Sequence, residues 1–439
     1  MTPNNPSSRN LGIVALTTLL VSAHYGSGFV LGTAEQTYRD GAIGSLYAVA
    51  VGVGSISLVL LAQFYWQRIE PLWTILGDRY GPSVKVGIGL MSWASLIGIG
   101  AVQILAIAAI VNLVGGPPLL TMVAIAILLC GIALLPVERA SWLFRSLLLV
   151  NVLVLGVMLW RLDHGQAYGI AIHDFFIALP HTSVSQSLGV AGSTILLVLI
   201  DMKSQQFVVR SQSLAVAVWG CVLSGGILIG VAFLPTAIVL AAQKTTLLPP
   251  ELPGRAVIPY LLGWLGGGIE QPLGAVFVLS LALPALGLGS NVLRIQTKAS
   301  LDLTQCPDTT GNQVGFTIIN TLLALGIALN GGEIVSLIVC FYAAYFAAIW
   351  VPFIAYLLEV AQTFQFAIVS IRWALATGII GALGGLSMSL FAPQLVWFNS
   401  PELTILTLGL IGSLLSLMGS EITKAFVLLF GQAQEDVEG

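Results

Sequence analysis

The chain has 439 residues, 57% of them hydrophobic and 8% charged, with a net charge of −3 and a mean hydropathy of +0.97. Soluble domains carry about 25% charged residues, so the solvent for most of this chain is lipid. The composition excludes a long polar domain and a basic nucleic-acid face, and the scattered Cys130, Cys221, Cys306 and Cys340 exclude a zinc site or disulfide framework by their spacing.

In chain order, a polar leader of residues 1–10 carries Arg9 as its only charge. The first apolar run is Leu11–Gly32, LGIVALTTLLVSAHYGSGFVLG. A bilayer crossing takes about 20 apolar residues, yet the middle of this run reads His24-Tyr25-Gly26-Ser27-Gly28. Two glycines around a serine weaken helical hydrogen bonding where no water replaces it, and a histidine and tyrosine at that depth must face protein or water. Broken helices of this kind are where transporters coordinate ions and substrates. Val21-Ser22-Ala23 also has the small-x-small form of a signal-peptide end, but the leader is poor in cations and the apolar run resumes directly after the break.

The second span covers residues 42–66, and an amphipathic piece, Glu70–Gly81, follows at the surface. Spans three, four and five are 83–113, 118–136 and 140–161. The next stretch, with Asp163, His164, His173, Asp174 and His181, reads as a polar outer loop of solvated residues. Span six, 184–209, holds Gly189, Gly192, Ser193 and Thr194 as breaks, then Asp201. Span seven is 213–242, a second interfacial helix is Arg255–Gly266, and spans eight to twelve are 270–300, 312–330, 333–358, 368–391 and 402–430, before a polar tail at 431–439.

Twelve spans place both termini on one side. With the N-terminus inside, twelve Lys and Arg face inward and four (Arg39, Arg161, Lys244, Arg255) face outward. The positive-inside rule therefore makes both termini cytoplasmic, and the expected location is a bacterial-type plasma (inner) membrane. Span two and span seven are each followed by a short Pro/Trp/Gly-containing helix. Five spans separate the two, an odd number, so the halves are inverted. The expected fold is all-α, with repeat one at 11–161, repeat two at 184–358 and two additional helices at 366–430.

Several segments resemble the sodium/solute symporter family, which has the leucine-transporter-like fold. They are Ser27-Gly28-Phe29-Val30-Leu31-Gly32, Tyr38-Arg39-Asp40-Gly41, Leu76-Gly77-Asp78-Arg79-Tyr80-Gly81, Gln206-Phe207-Val208-Val209-Arg210 with Ser213 and Ala215, and Pro259 to Leu303. The resemblance covers roughly residues 11–390. It implies a secondary transporter whose solute enters between spans one, three, six, eight and ten, coupled to Na+. It also implies a sodium site of carbonyls at Ala23 and Gly26 beside the break, a carbonyl at Leu283, and two hydroxyls on span eight. Here that hydroxyl pair falls on Leu286 and Gly287, which have no side-chain oxygen; Ser290, one turn on, substitutes if Pro284 distorts the helix.

Tyr25, Ser27 and Gly28 in the break, Gln103 in span three, Thr194 in span six and Tyr342 in span ten are the candidate solute contacts. For Gln103, Thr194, Tyr342 and Tyr345, ordinary interhelical hydrogen bonding is the competing role. His24 either couples transport to protons or sits neutral against a carbonyl freed by the break. Asp201 and Lys203 read as a solvated helix end on the cytoplasmic side, and Glu333 as a helix cap. The sequence carries no motif for catalysis. The expected function is secondary active transport of a small neutral or zwitterionic solute by alternating access, driven by Na+ or H+; the alternative is a non-transporting solute sensor. The expected partners are the bilayer and the solute, with no other cofactor, no nucleic acid, and no protein partner inferable.

Overall fold

The computed structural model describes residues 9–438 other than 69, 114, 136, 246 and 250, with backbone alone at 137–147 and 425–438. Most of the expected leader, the side chains of Arg139 and Arg145, and the side chains of the acidic tail lie outside the described residues.

The helices are α1 (Ile13–His24), a π turn (Gly28–Gly32), α2 (Thr33–Asp40), α3 (Leu46–Ser57), α4 (Val59–Gln67), α5 (Leu72–Tyr80), α6 (Pro82–Asn112) and α7 (Pro118–Ala133). They continue as α8 (Val137–Asp163), α9 (Gln166–Ala178), α10 (Val184–Ser187), a second π turn (Leu188–Gly192), α11 (Ser193–Ile200), α12 (Met202–Val208) and α13 (Leu214–Gln243). The remainder are α14 (Val257–Leu265), α15 (Pro272–Ser280), α16 (Ala282–Thr304), α17 (Thr310–Leu329), α18 (Ile334–Val360), α19 (Ile368–Phe391) and α20 (Pro401–Glu438). Each of the twelve expected spans falls on helix. Nine helices among the described residues are long and apolar enough to cross a membrane, and α8 with α9 forms a further candidate bent by 96°. The protein is an integral membrane protein.

Two expectations change here. The first span does not stop at Gly32 but runs on through α2 to Asp40. The stretch expected as a loop after Asp163 is largely helical, as α9. Its buried residues Ala167, Ala171 and Phe175 recur every four positions, the spacing of one helix face. His173, off that face, is exposed.

The core sits around α6 and α18, whose spans are 83% buried, against 28–33% for α13, α17, α19 and α20. Lipid gives helices no hydrophobic reason to associate, so close packing of small residues takes over. Where α3 crosses α13, a Cβ on Gly225 would stand 2.6 Å from the Gly52 carbonyl oxygen. Any larger residue there forces the two helices apart. The expected echo is present: α5 follows α4 and α14 follows α13, and both are nine residues long.

One end of the bundle is closed by main chain. Leu11 N–H donates to the Arg210 carbonyl at 3.0 Å, and Gln212 N–H donates back to the Leu11 carbonyl at 3.1 Å. Arg9 donates to the Trp66 carbonyl at 2.7 Å and its guanidinium lies 4.3 Å from the Trp66 ring centre. The segment before α1 is thereby strapped to the connection between α12 and α13.

Candidate functional site

α1 ends at His24 because Tyr25 takes extended backbone (φ −79°, ψ 90°). Helical bonding resumes when Phe29 and Val30 both donate to the Gly26 carbonyl, at 3.1 and 3.2 Å. The break is therefore Tyr25–Ser27, as the sequence indicates. Gly26 is needed for space, since a Cβ there would meet Leu288 Cδ2 at 2.5 Å and Gln103 Oε1 at 3.3 Å.

The second break lies elsewhere than expected. Gly189 and Gly192 fall in the second π turn, and Ser193 and Thr194 open α11, so the helix continues through all four. It breaks at Asp201, which is extended (φ −73°, ψ 122°) and caps α12 by accepting from Lys203 N–H at 3.0 Å. Tyrosine hydroxyls take two carbonyls near this interruption: Tyr65 donates to Leu199 at 2.5 Å and Tyr345 to Ile200 at 3.3 Å.

Asp201 and Lys203 are not a solvated helix end. Their side chains are 6% and 1% exposed and form an ion pair at 3.2 Å. α1, α3 and α18 close over them, which neighbouring sequence cannot reveal. Lys203 also leaves the inner-side charge count, making it eleven against four, with the same sign. Its ammonium donates to Tyr342 Oη at 3.2 Å. At the next residue of α12, Ser204 Oγ and His24 Nε2 are 3.0 Å apart. His24 thus bonds a hydroxyl, not a freed carbonyl.

Between the two breaks lies a cavity of about 10 Å³, room for about one water. In this conformation the space between the breaks is too small for a solute. Of the solute, ion and proton candidates named in the sequence, Ala23, His24, Gly26, Gly28, Gln103 and Tyr342 line it; Lys203, expected as a solvated helix end, lines it too, as do Tyr47, Phe29 and Leu288. Ser27 stands behind the wall and donates to Gln103 Oε1 at 2.7 Å. Tyr25 points to α8, where it donates to Asn151 Oδ1 at 2.9 Å. Thr194 is fully buried one helical stretch away, its hydroxyl without a hydrogen-bond partner among the described residues. Sequence reading missed Lys203 because a charge at the end of an apolar run ordinarily marks the water interface. The usable signal was its spacing: Asp201 and Lys203 are separated by one residue, as a cap and its first turn are.

On the α16 side, the expected sodium ligands stand apart from the cavity between the breaks. Leu288 is the residue that faces Gly26. The Ser290 hydroxyl donates to the Gly287 carbonyl of its own helix at 3.0 Å, and Leu283, Gly287 and Ser290 are not among the cavity-lining residues. Among the described residues, no group of three His, Cys, Asp or Glu side chains is placed to hold a metal ion.

At the opposite end of α2, Glu333 does not cap α18 with its side chain. It pairs with Arg39, which also holds Asp40 at 2.8 Å. The cap comes from Glu35, which accepts from Ile334 N–H at 3.1 Å. A carboxylate is favourable at that helix end whichever element supplies it.

No family model matches the chain, and no curated protein matches it either. Solved structures do. A Na+-coupled sialic acid symporter in a substrate-bound outward-open state aligns over 94% of this chain and 89% of its own, with TM-score 0.67 and 13% identity. The chain has its fold. A nucleobase-cation-symport-1 family transporter in a closed conformation aligns over 95% of both chains, with TM-score 0.54 and 14% identity. MhsT in complex with L-phenylalanine aligns over 92% of this chain and 97% of its own, with TM-score 0.51 and 16% identity. The architecture expected from the sequence resemblance is borne out by all three.

Proposed function

We propose that this protein is a secondary active transporter of a small neutral or zwitterionic solute, working by alternating access. The observation that supports this most is the pair of facing breaks, in α1–α2 and in α11–α12, with a cavity of mixed polar and apolar lining between them. Irregular backbone at membrane depth is tolerated where it is buried in protein or lines a cavity, and transporters use such paired breaks to hold their solute. The reading places both termini in the cytoplasm of a bacterial-type plasma (inner) membrane. The Arg39–Glu333 ion pair and the Glu35–Ile334 hydrogen bond joining α2 to α18, and the strap from Leu11 to the α12–α13 connection, are then the contacts that open in turn on the two faces.

Transport is driven by a cation. The sodium-coupled structural neighbours support Na+, and His24 beside the cavity supports H+. Uptake of a labelled solute panel into vesicles reconstituted with the protein, under an imposed Na+ gradient and then an imposed H+ gradient, tests the reading. Accumulation driven by one of the two is expected. Solute binding without flux would instead favour a sensor, and absence of both binding and flux across the panel would remove the transport reading.

A further inference from the structure

An ammonium has three N–H donors and needs acceptors for them when it leaves water. The Lys203 ammonium, 1% exposed, makes one hydrogen bond among the described residues, to Tyr342 at 3.2 Å. Asp201 Oδ2 balances its charge from 3.2 Å but makes no hydrogen bond, because the carboxylate is turned to cap α12 through its other oxygen. The side chain of Lys203 lines the cavity between the breaks. Tyr47 and His24 are the other polar walls and bring it no negative charge, His24 being bonded to Ser204. Phe29, Leu288 and Ile338 are apolar, and the Gln103 carbonyl oxygen already accepts from Ser27. The acidic residues Glu35 and Glu333 are engaged where α2 meets the start of α18.

We infer that Lys203 receives the carboxylate of the transported solute, so that the solute class is a carboxylate-bearing molecule with an apolar body. The inference rests on the transporter reading above and narrows it. Charge-assisted bonds to a carboxylate are among the strong ones, and two oxygens supply acceptors that the protein leaves out. Asp201 and Lys203 together are neutral, so an entering carboxylate adds one negative charge. A zwitterion's own ammonium, or a co-transported cation, balances it. Phe29, Leu288 and Ile338 are the apolar walls that would meet the remainder of the solute once the cavity widens.

The test is thermal melting of the full-length protein in detergent micelles with a panel of monocarboxylates, from acetate through amino acids to aromatic and sugar acids. Each is paired with its primary amide, and chloride and inorganic phosphate serve as ion controls. A bound ligand raises the melting temperature by mass action. At least one carboxylate is expected to do so while its amide does not. Lys203→Gln should weaken that carboxylate by about 10- to 100-fold in apparent Kd, with Lys203→Arg keeping part of the effect. Equal stabilisation by an amide overturns the assignment to Lys203 and leaves a solute site standing, as does a carboxylate effect that survives Lys203→Gln. A response to chloride or phosphate alone overturns the carboxylate class. Silence across the whole panel overturns the solute site itself. Should Lys203→Gln not fold, the carboxylate-against-amide comparison on the unaltered chain decides.

Discussion

Two ion pairs in this molecule have the same chemistry and opposite surroundings. Arg39 and Glu333 meet with side chains 48% and 44% exposed, where α2 reaches the start of α18. Lys203 and Asp201 meet at 1% and 6% exposure beside the break between α11 and α12. Water competes for the first pair and salt screens it, so it contributes about 0–1 kcal/mol. The second has no water to fall back on, and each partner is tolerable only because the other is there. The outer pair is thus suited to parting and re-forming as a transporter cycles. The inner pair is suited to staying charged until a ligand with charge of its own arrives.

The sharpest way to break the contrast is to remove one inner charge. Asp201→Asn keeps a good N-cap for α12 but strands the ammonium, and should cost about 3–5 kcal/mol, read as a lowered thermal midpoint in detergent. Adding Lys203→Met to it should recover part of that loss. A double variant no more stable than Asp201→Asn alone would show that the two charges are not coupled. A smaller effect is expected from Gly26→Val, which forces a branched side chain against Leu288 and Gln103. Overpacking of this kind costs about 1–3 kcal/mol, and it fills the cavity, so uptake should be lost while the protein still folds. Arg39→Gln should cost least, under about 1 kcal/mol, and the difference from the unaltered chain should shrink as ionic strength is raised. A large loss that persists in high salt would make the outer pair structural in the way the inner one is.

How much of this could be read from residues alone differs between the two breaks. The first was legible because its cause is local: Gly26 and Gly28 flank Ser27 in an otherwise apolar run, and no tertiary contact is needed to see it. The second was misplaced. Gly189 and Gly192 carry the same local signal, yet the chain absorbs them in a π turn and stays helical. Asp201, which does break the helix, looked like the place where the helix meets water. Only the enclosing helices α1, α3 and α18 make it an interior residue, and burial by distant helices is not written in the neighbouring sequence. The same blindness hid α9, whose buried Ala167, Ala171 and Phe175 are spaced for a helix but lie among the polar residues Asp163, His164, His173 and Asp174. For the sodium site, the sequence shows that Leu286 and Gly287 bring no side-chain oxygen, and the structure adds that Leu288 occupies the side of α16 facing the break.

The strap at Leu11 works through carbonyl and amide groups, not through side chains. Its two hydrogen bonds, Leu11 to Arg210 and Gln212 to Leu11, read backbone position and nothing else. That end of the molecule can accept many replacements at residue 11 and few changes in chain length between residue 11 and α1. Over evolutionary time such a closure would drift freely in letters while resisting insertion and deletion, so its presence in a relative would be visible as a constant spacing and not as a motif.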